Sequence, residues 1–194
     1  MLPFKIFMYP ESEDVFANSV EEHAKYLFPL FSIELEQINP SWTGRIHMLH
    51  SNEDPYNTST AESFNDYCKD CMIGFDVIDG KYSFKSSFNY FDLSEDWQGY
   101  YEKTKLAYGI AKQQFHTTGQ LSDRFGTIIE SFRKIGGEPN WMQTDETPLD
   151  PEGNAMSFIV QASASDYIDD GSEKEMYLFY SDKYKLAIII YQTT

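Results

Sequence analysis

The chain has 194 residues, 41% of them hydrophobic and 16% aromatic, which suits one domain with a sizeable core and excludes a disordered chain. Its 31 acids against 15 bases give a formal net charge of −16, a field that repels nucleic acid and anionic lipid and attracts basic partners. No apolar run has the length of a membrane span, and the opening MLPFKIFMYP lacks the basic stretch, apolar core and small-residue cleavage site of a signal peptide, so a cytoplasmic protein without membrane contact is expected.

The elements follow in chain order. Residues 4–9 (FKIFMY) read as a first strand. Ser12 then caps a helix whose apolar positions are Phe16, Val20, His23 and Leu27, with acids in its first turn. From Phe31, FSIELEQI alternates as a strand that Pro40 ends, and GRIHML from Gly44 is another. The polar segment 51–60 is a loop before a short helix through Phe64 and Tyr67. Two apolar runs, 72–78 and 81–91, flank Asp79-Gly80, the strongest hairpin signal in the chain, with Tyr82, Phe84, Phe88 and Tyr90 on one face of the second arm. Ser94 opens the longest helix, marked by Trp97, Tyr101, Tyr108, Ala111 and Phe115, and Gly119 stops it. Phe125, Ile128, Ile129 and Phe132 suit a further helix to Ile135 capped by Gly136 or Gly137, although the β-branched residues suit a strand equally. Strands at 156–163, 175–181 and 184–192 close the chain, the last two joined at Asp182-Lys183. The sum is a single α+β domain over residues 1–194, predominantly antiparallel, with two or three helices.

Between Glu138 and Glu175 stand ten acids and one base. That clustering marks a face with a task, rather than charge spread for solubility. Ahead of it, Gly136-Gly137-Glu138-Pro139-Asn140-Trp141 crowds two glycines, a proline and a tryptophan into six residues. A phosphate cradle is excluded here, because Pro139 has no N–H to offer and no Lys-Ser or Lys-Thr pair follows. The glycines allow positive φ, Pro139 fixes the next bend, and Trp141 supplies an apolar anchor, so the motif is a corner of the fold. Gln161, in the following strand, is expected to be buried and to bond backbone in a neighbouring loop.

This series continues through Met142-Gln143, Pro148, Asp150-Pro151-Glu152-Gly153, Met156-Ser157-Phe158-Ile159-Val160-Gln161 and Tyr177-Leu178-Phe179-Tyr180. Over residues 132–192 it resembles the C-terminal core of the YwqG-like family, with its Gly-Gly-x-Pro-x-Trp-x-Gln signature, Pro-rich loop and M-x-F-x-x-Q strand. The resemblance implies an α+β fold rich in antiparallel strands and brings no catalytic residues. Some members of that family look like bacterial immunity proteins, which bind a cognate toxin and block it. It also implies that the two glycines, Pro139, Trp141, Gln143 and Gln161 maintain the fold.

Other constellations are weaker. His47 and His50 with Cys68 and Cys71 have the count for a Cys₂His₂ zinc site, but on a strand the two histidines point to opposite faces. The Cys-x-x-Cys pair precedes a strand, whereas redox pairs open a helix after one. No G-x-S-x-G is present, His116 fits a helix C-terminus, and Asp169-Asp170 before Gly171 is ordinary loop chemistry. No catalytic residue, metal or cofactor is therefore assigned. Tyrosines beside acids, at 54–57 and 166–170, suit a protein-binding surface as well as they suit solvated loops. The function expected is a non-catalytic immunity protein whose toxin partner is basic on its binding face. The contact residues expected are Asp145, Glu146, Asp150, Glu152, Asp166, Tyr167, Asp169 and Asp170. The alternative is an enzyme or small-ligand protein with an aromatic pocket.

Overall fold

Short runs rich in apolar, β-branched and aromatic residues make strands, and nine of them form two antiparallel sheets in the computed structural model, which describes residues 5–51, 59–91, 94–121, 128 and 132–193. The smaller sheet has the order β1 (Ile6–Met8), β2 (Phe28–Glu34), β3 (Arg45–His50). The larger has the order β5–β4–β9–β8–β7–β6. Its strands are β4 (Met72–Ile78), β5 (Lys81–Phe84), β6 (Lys134–Ile135), β7 (Ser157–Ser163), β8 (Lys174–Ser181) and β9 (Leu186–Thr193). Three helices accompany them among the described residues: α1 (Ser12–Val15), α2 (Val20–Tyr26) and α3 (Glu95–Thr118). The expected α+β class, mainly antiparallel, is the observed one. No helix among the described residues is long and apolar enough to cross a membrane.

The hairpin at Asp79-Gly80 forms as read: Ile78 faces Lys81, and both turn residues have positive φ. The long helix also holds its expected limits. Ser94 is the N-cap, and Gly119 ends the helix in the left-handed region with its N–H on the Phe115 carbonyl. Elsewhere the boundaries differ. The first helix breaks into α1 and α2, because Phe16 leaves it to bridge Tyr82 and the Ala17 N–H bonds the Tyr82 carbonyl. The strand expected from Phe31 begins at Phe28 and ends at Glu34, ahead of Pro40, and both its faces are buried through Ile33. The arm after Asp79-Gly80 stops at Phe84, and a 3₁₀ turn at Phe88–Tyr90 folds its aromatics back onto Phe84. The short helix toward Tyr67 is a single 3₁₀ turn, Ala61–Ser63.

The helix expected up to Ile135 is corrected at its end. Lys134 and Ile135 pair with Gln161 and Val160 as β6, so the β-branched residues follow the strand preference. Phe125 and Ile129 lie outside the described residues, as does most of the 51–60 loop with Tyr56.

Successive side chains of β7, β8 and β9 point to opposite faces of the larger sheet. One face, with Ile159, Met176, Leu178, Tyr180, Ile189 and Tyr191, enters the main core with β2, β3 and α3. The other carries a separate apolar cluster of Phe158, Tyr177, Phe179, Ile188, Ile190 and Met72, packed by Trp141. Gly74, in β4, permits a close approach there, since a Cβ at that position would meet the Tyr67 carbonyl oxygen at 2.6 Å.

Candidate functional site

The motif at 136–143 carries the chain from the sheet edge onto the outer face. The Gly136 N–H makes a last bond to the Ile159 carbonyl, after which Gly136 and Gly137 take φ of 62° and 71°. Two successive left-handed residues reverse the chain at no steric cost only for glycine. Trp141 then lies over the outer cluster, 4.5 Å from the Tyr177 ring and stacked at 5.8 Å on Phe179. Gln161 behaves as its burial predicts. Its Oε1 accepts the Asn140 N–H at 3.0 Å, and its Nε2 donates to the Asn140 carbonyl at 3.1 Å. The side-chain amide thus replaces the missing strand partner of the loop.

A second glutamine, Gln192 of β9, does the same work one step further on. Its Oε1 accepts the N–H groups of Met142 and Gln143, and its Nε2 donates to the Thr144 carbonyl and the Glu146 carboxylate. Gln143 answers by donating to the Thr193 carbonyl, and the Tyr177 hydroxyl accepts the Met142 N–H. Sequence reasoning missed Gln192. Its signal was a polar residue after the run Leu186–Tyr191, in phase with Ile188 and Ile190 on the outer face.

The acidic loop behind this corner is therefore fixed. Asp145 accepts from both the N–H and the hydroxyl of Thr147, and these bonds hold its carboxyl below the usual range. Asp150 accepts the N–H groups of Asn154 and Glu152, with the same consequence, in a small hairpin closed by the Leu149–Ala155 bridge. Glu152 pairs with Lys183 of the β8–β9 turn, which lowers its carboxyl too. Asp145, Glu146 and Glu152 are exposed.

The structure separates the remaining expected contact residues from this loop. Asp166 and Asp169 follow β7 at the end opposite the β8–β9 turn, so the seven-residue strand stands between them and Glu152, roughly 20 Å. Asp169 is exposed, whereas Asp166 is half-buried and bonded to Arg133. Tyr167 and Asp170 are corrections to the expected surface, because both are buried. Tyr167 lies against Phe31, and its carbonyl accepts the Tyr9 hydroxyl. Asp170 accepts His50 Nε2–H at 2.9 Å, the Thr104 hydroxyl at 2.8 Å and the Ser172 N–H at 2.9 Å. Burial alone would raise its carboxyl. The bonds from His50 and Ser172 outweigh it and hold the group ionised. The apolar pair Tyr167-Ile168, set between Asp166 and Asp169, was the signal that this loop folds inward.

The histidines and cysteines are separately engaged. His47 accepts the Ser32 hydroxyl at Nδ1 and donates from Nε2 to the Gly80 carbonyl, and burial pushes its pKa down to about 4. His50 points to the other face of β3, toward Asp170, and is likewise lowered by burial. Cys68 is buried with its thiol directed at the Gly74 carbonyl and is pushed up to about 12, while Cys71 is half-buried. Among the described residues, no three His, Cys, Asp or Glu side chains stand together as a metal set. His116 is exposed in the last turn of α3.

Between the acidic loop and the turn that precedes β4 lies a cleft of about 590 Å³. Met72 and Ile190 are on its floor side, Tyr67, Leu149 and Pro151 are on its walls, and Asp66, Asp70, Glu146 and Asp150 supply carboxylates. Lys69 is the cation in the same lining. Sequence reading nominated Glu146 and Asp150 but not Asp66 or Asp70, which lie some 80 residues away in the chain and meet them only through the β4–β9 pairing. Comparison with protein-family models, curated proteins and solved structures gives no match.

Proposed function

We propose that the protein is a non-catalytic immunity protein, acting in the cytoplasm, that binds a cognate toxin domain through that domain's basic face and blocks it. The observation that carries this reading is a set of exposed carboxylates on a prearranged loop: Asp145, Glu146 and Glu152 lie on a segment that Gln161, Gln192 and Trp141 fix to the sheet. A fixed loop loses little conformational freedom on binding, so more of the contact energy appears as affinity. The net charge of −16 speeds encounter with a basic protein more than it adds to affinity. The resemblance of residues 132–192 to the YwqG-like core points the same way.

The test is co-expression of the tagged protein with the product of the adjacent gene, followed by size-exclusion chromatography and a growth assay. A one-to-one complex that rescues cells from the neighbour's toxicity is the expected result. Within it, reversing Asp145, Glu146 and Glu152 to lysine slows association about tenfold at low salt and much less at high salt. Rescue without a complex, or association indifferent to both charge and salt, would remove this function.

A further inference from the structure

We infer that the cleft between residues 66–72 and 146–153 is the socket for one arginine-bearing, partly apolar segment of the partner protein. This assignment rests on the partner-binding function proposed above and names where the contact is made.

Two independent properties meet in the cleft. The first is apolar: Leu149 is 55% exposed over it, and Met72 and Ile190 of the outer cluster lie beneath. Leu149 stands on a hairpin that Asp150 and Asn154 hold in shape, so its exposure is built into the loop. The second is electrostatic: Asp66 and Asp70 are exposed and enter no salt bridge among the described residues, and Glu146 and Asp150 line the same cleft. Four carboxylates against Lys69 leave a net negative rim. An arginine satisfies both halves at once. Its aliphatic stem packs on apolar walls while its planar head meets carboxylates with paired N–H bonds. A leucine or similar residue beside it in the partner would cover Leu149. A purely apolar segment would cover the walls and leave the carboxylates unpaired, and an acidic segment would be repelled by them. The walls are also well supported: one is the loop bonded to Gln192, and the other is the turn whose Tyr67 backbone presses on Gly74.

The probe is a synthetic Arg-Leu-Arg-Leu-Arg peptide, with Glu-Leu-Glu-Leu-Glu as its control, titrated into isotopically labelled full-length protein. Amide and methyl shifts are expected at Asp66 to Met72, Glu146 to Gly153 and Ile190 for the basic peptide alone. In the Asp66→Asn/Asp70→Asn/Leu149→Ser variant, all three sites being exposed, that binding should weaken about tenfold or more with the fold unchanged. Shifts spread over every acidic surface, or no shifts, would overturn the socket. The same variant separates this inference from the function it rests on. If it still forms a full-affinity complex with the toxin, the socket fails and the immunity function stands. If the wild type takes the peptide at the cleft but neutralises no toxin, the socket stands and the function fails.

Discussion

The two faces of the six-stranded sheet are held by different physics. The inner face is sealed by volume: Leu178, Tyr180, Ile189 and Tyr191 are fully or nearly fully buried against β2, β3 and α3. Its few polar groups are ties between layers. Asp170 links the β7–β8 connection to His50 of β3 and to Thr104 of α3, and His47 links Ser32 of β2 to the hairpin turn at Gly80. The outer face is covered chiefly by an irregular loop, which cannot pair its backbone by strand geometry. The side chains of Gln161, Gln192 and Tyr177 pair it instead, and Trp141 supplies the apolar contact. Buried charge and packing dominate one side, and neutral side-chain-to-backbone bonds dominate the other. The partner-binding surface proposed above lies on the second side.

The largest expected effect comes from breaking the inner tie. Asp170→Ala leaves the His50 ring, the Thr104 hydroxyl and the Ser172 N–H without their acceptor in a buried place. Removing one member of such a buried set costs about 3–5 kcal/mol. Urea unfolding of the variant measures it. A loss below 1 kcal/mol would mean that the tie behaves as a surface pair and that packing alone joins the layers.

Acid sharpens the comparison, because the inner-face histidines titrate at higher pH than the outer-loop carboxylates. His47, with its folded pKa near 4 against the ordinary 6.5, binds its proton more readily when unfolded. Its contribution is therefore complete above pH 6.5 and is lost as pH falls toward 4, amounting to on the order of 3 kcal/mol. His50, lowered by the same burial, loses stability in the same direction. The outer loop carboxylates are depressed instead, so Asp145 and Asp150 stay ionised until the pH falls below the usual carboxylate range. Global stability should thus fall as pH falls, while the hydrogen-exchange protection that residues 142–154 owe to their own local bonds is unchanged. A loop that loosens first on acidification would reverse that order.

Much of the fold was legible because it rests on short-range rules. Asp79-Gly80 between apolar runs makes its own turn, Gly119 ends its own helix, and the outer glutamine at Gln161 had to find backbone. What was not legible depends on partners distant in the chain. Phe16 leaves its helix because Tyr82, 66 positions on, takes it into a bridge. Asp170 reads as a surface acid because its partners His50 and Thr104 lie 120 and 66 positions away, and Ile168 marks only that the loop turns inward. The candidate site divides the same way. Glu146 and Asp150 stood out as a local cluster, whereas Asp66 and Asp70 join them only once β4 has paired with β9. Local charge counting finds one wall of a cleft and misses the other.

The smallest effect is the most diagnostic for function. Gln192→Ala removes the acceptor of the Met142 and Gln143 N–H groups and the donor to Thr144 and Glu146. Water can reach a loop of this exposure, so the cost should be only about 1–2 kcal/mol. The change should appear locally, as faster amide exchange at Met142 and Gln143 with the amides of Leu178 and Ile189 unaffected, because those lie in the paired central strands β8 and β9. Association with a basic partner should then slow although no acid has been removed, since a loop that must be ordered on binding gives up part of the contact energy. Normal association by a loosened loop would mean that the carboxylates act by their summed field alone, and that the Gly136–Trp141 corner preserves the sheet rather than the shape of the contact.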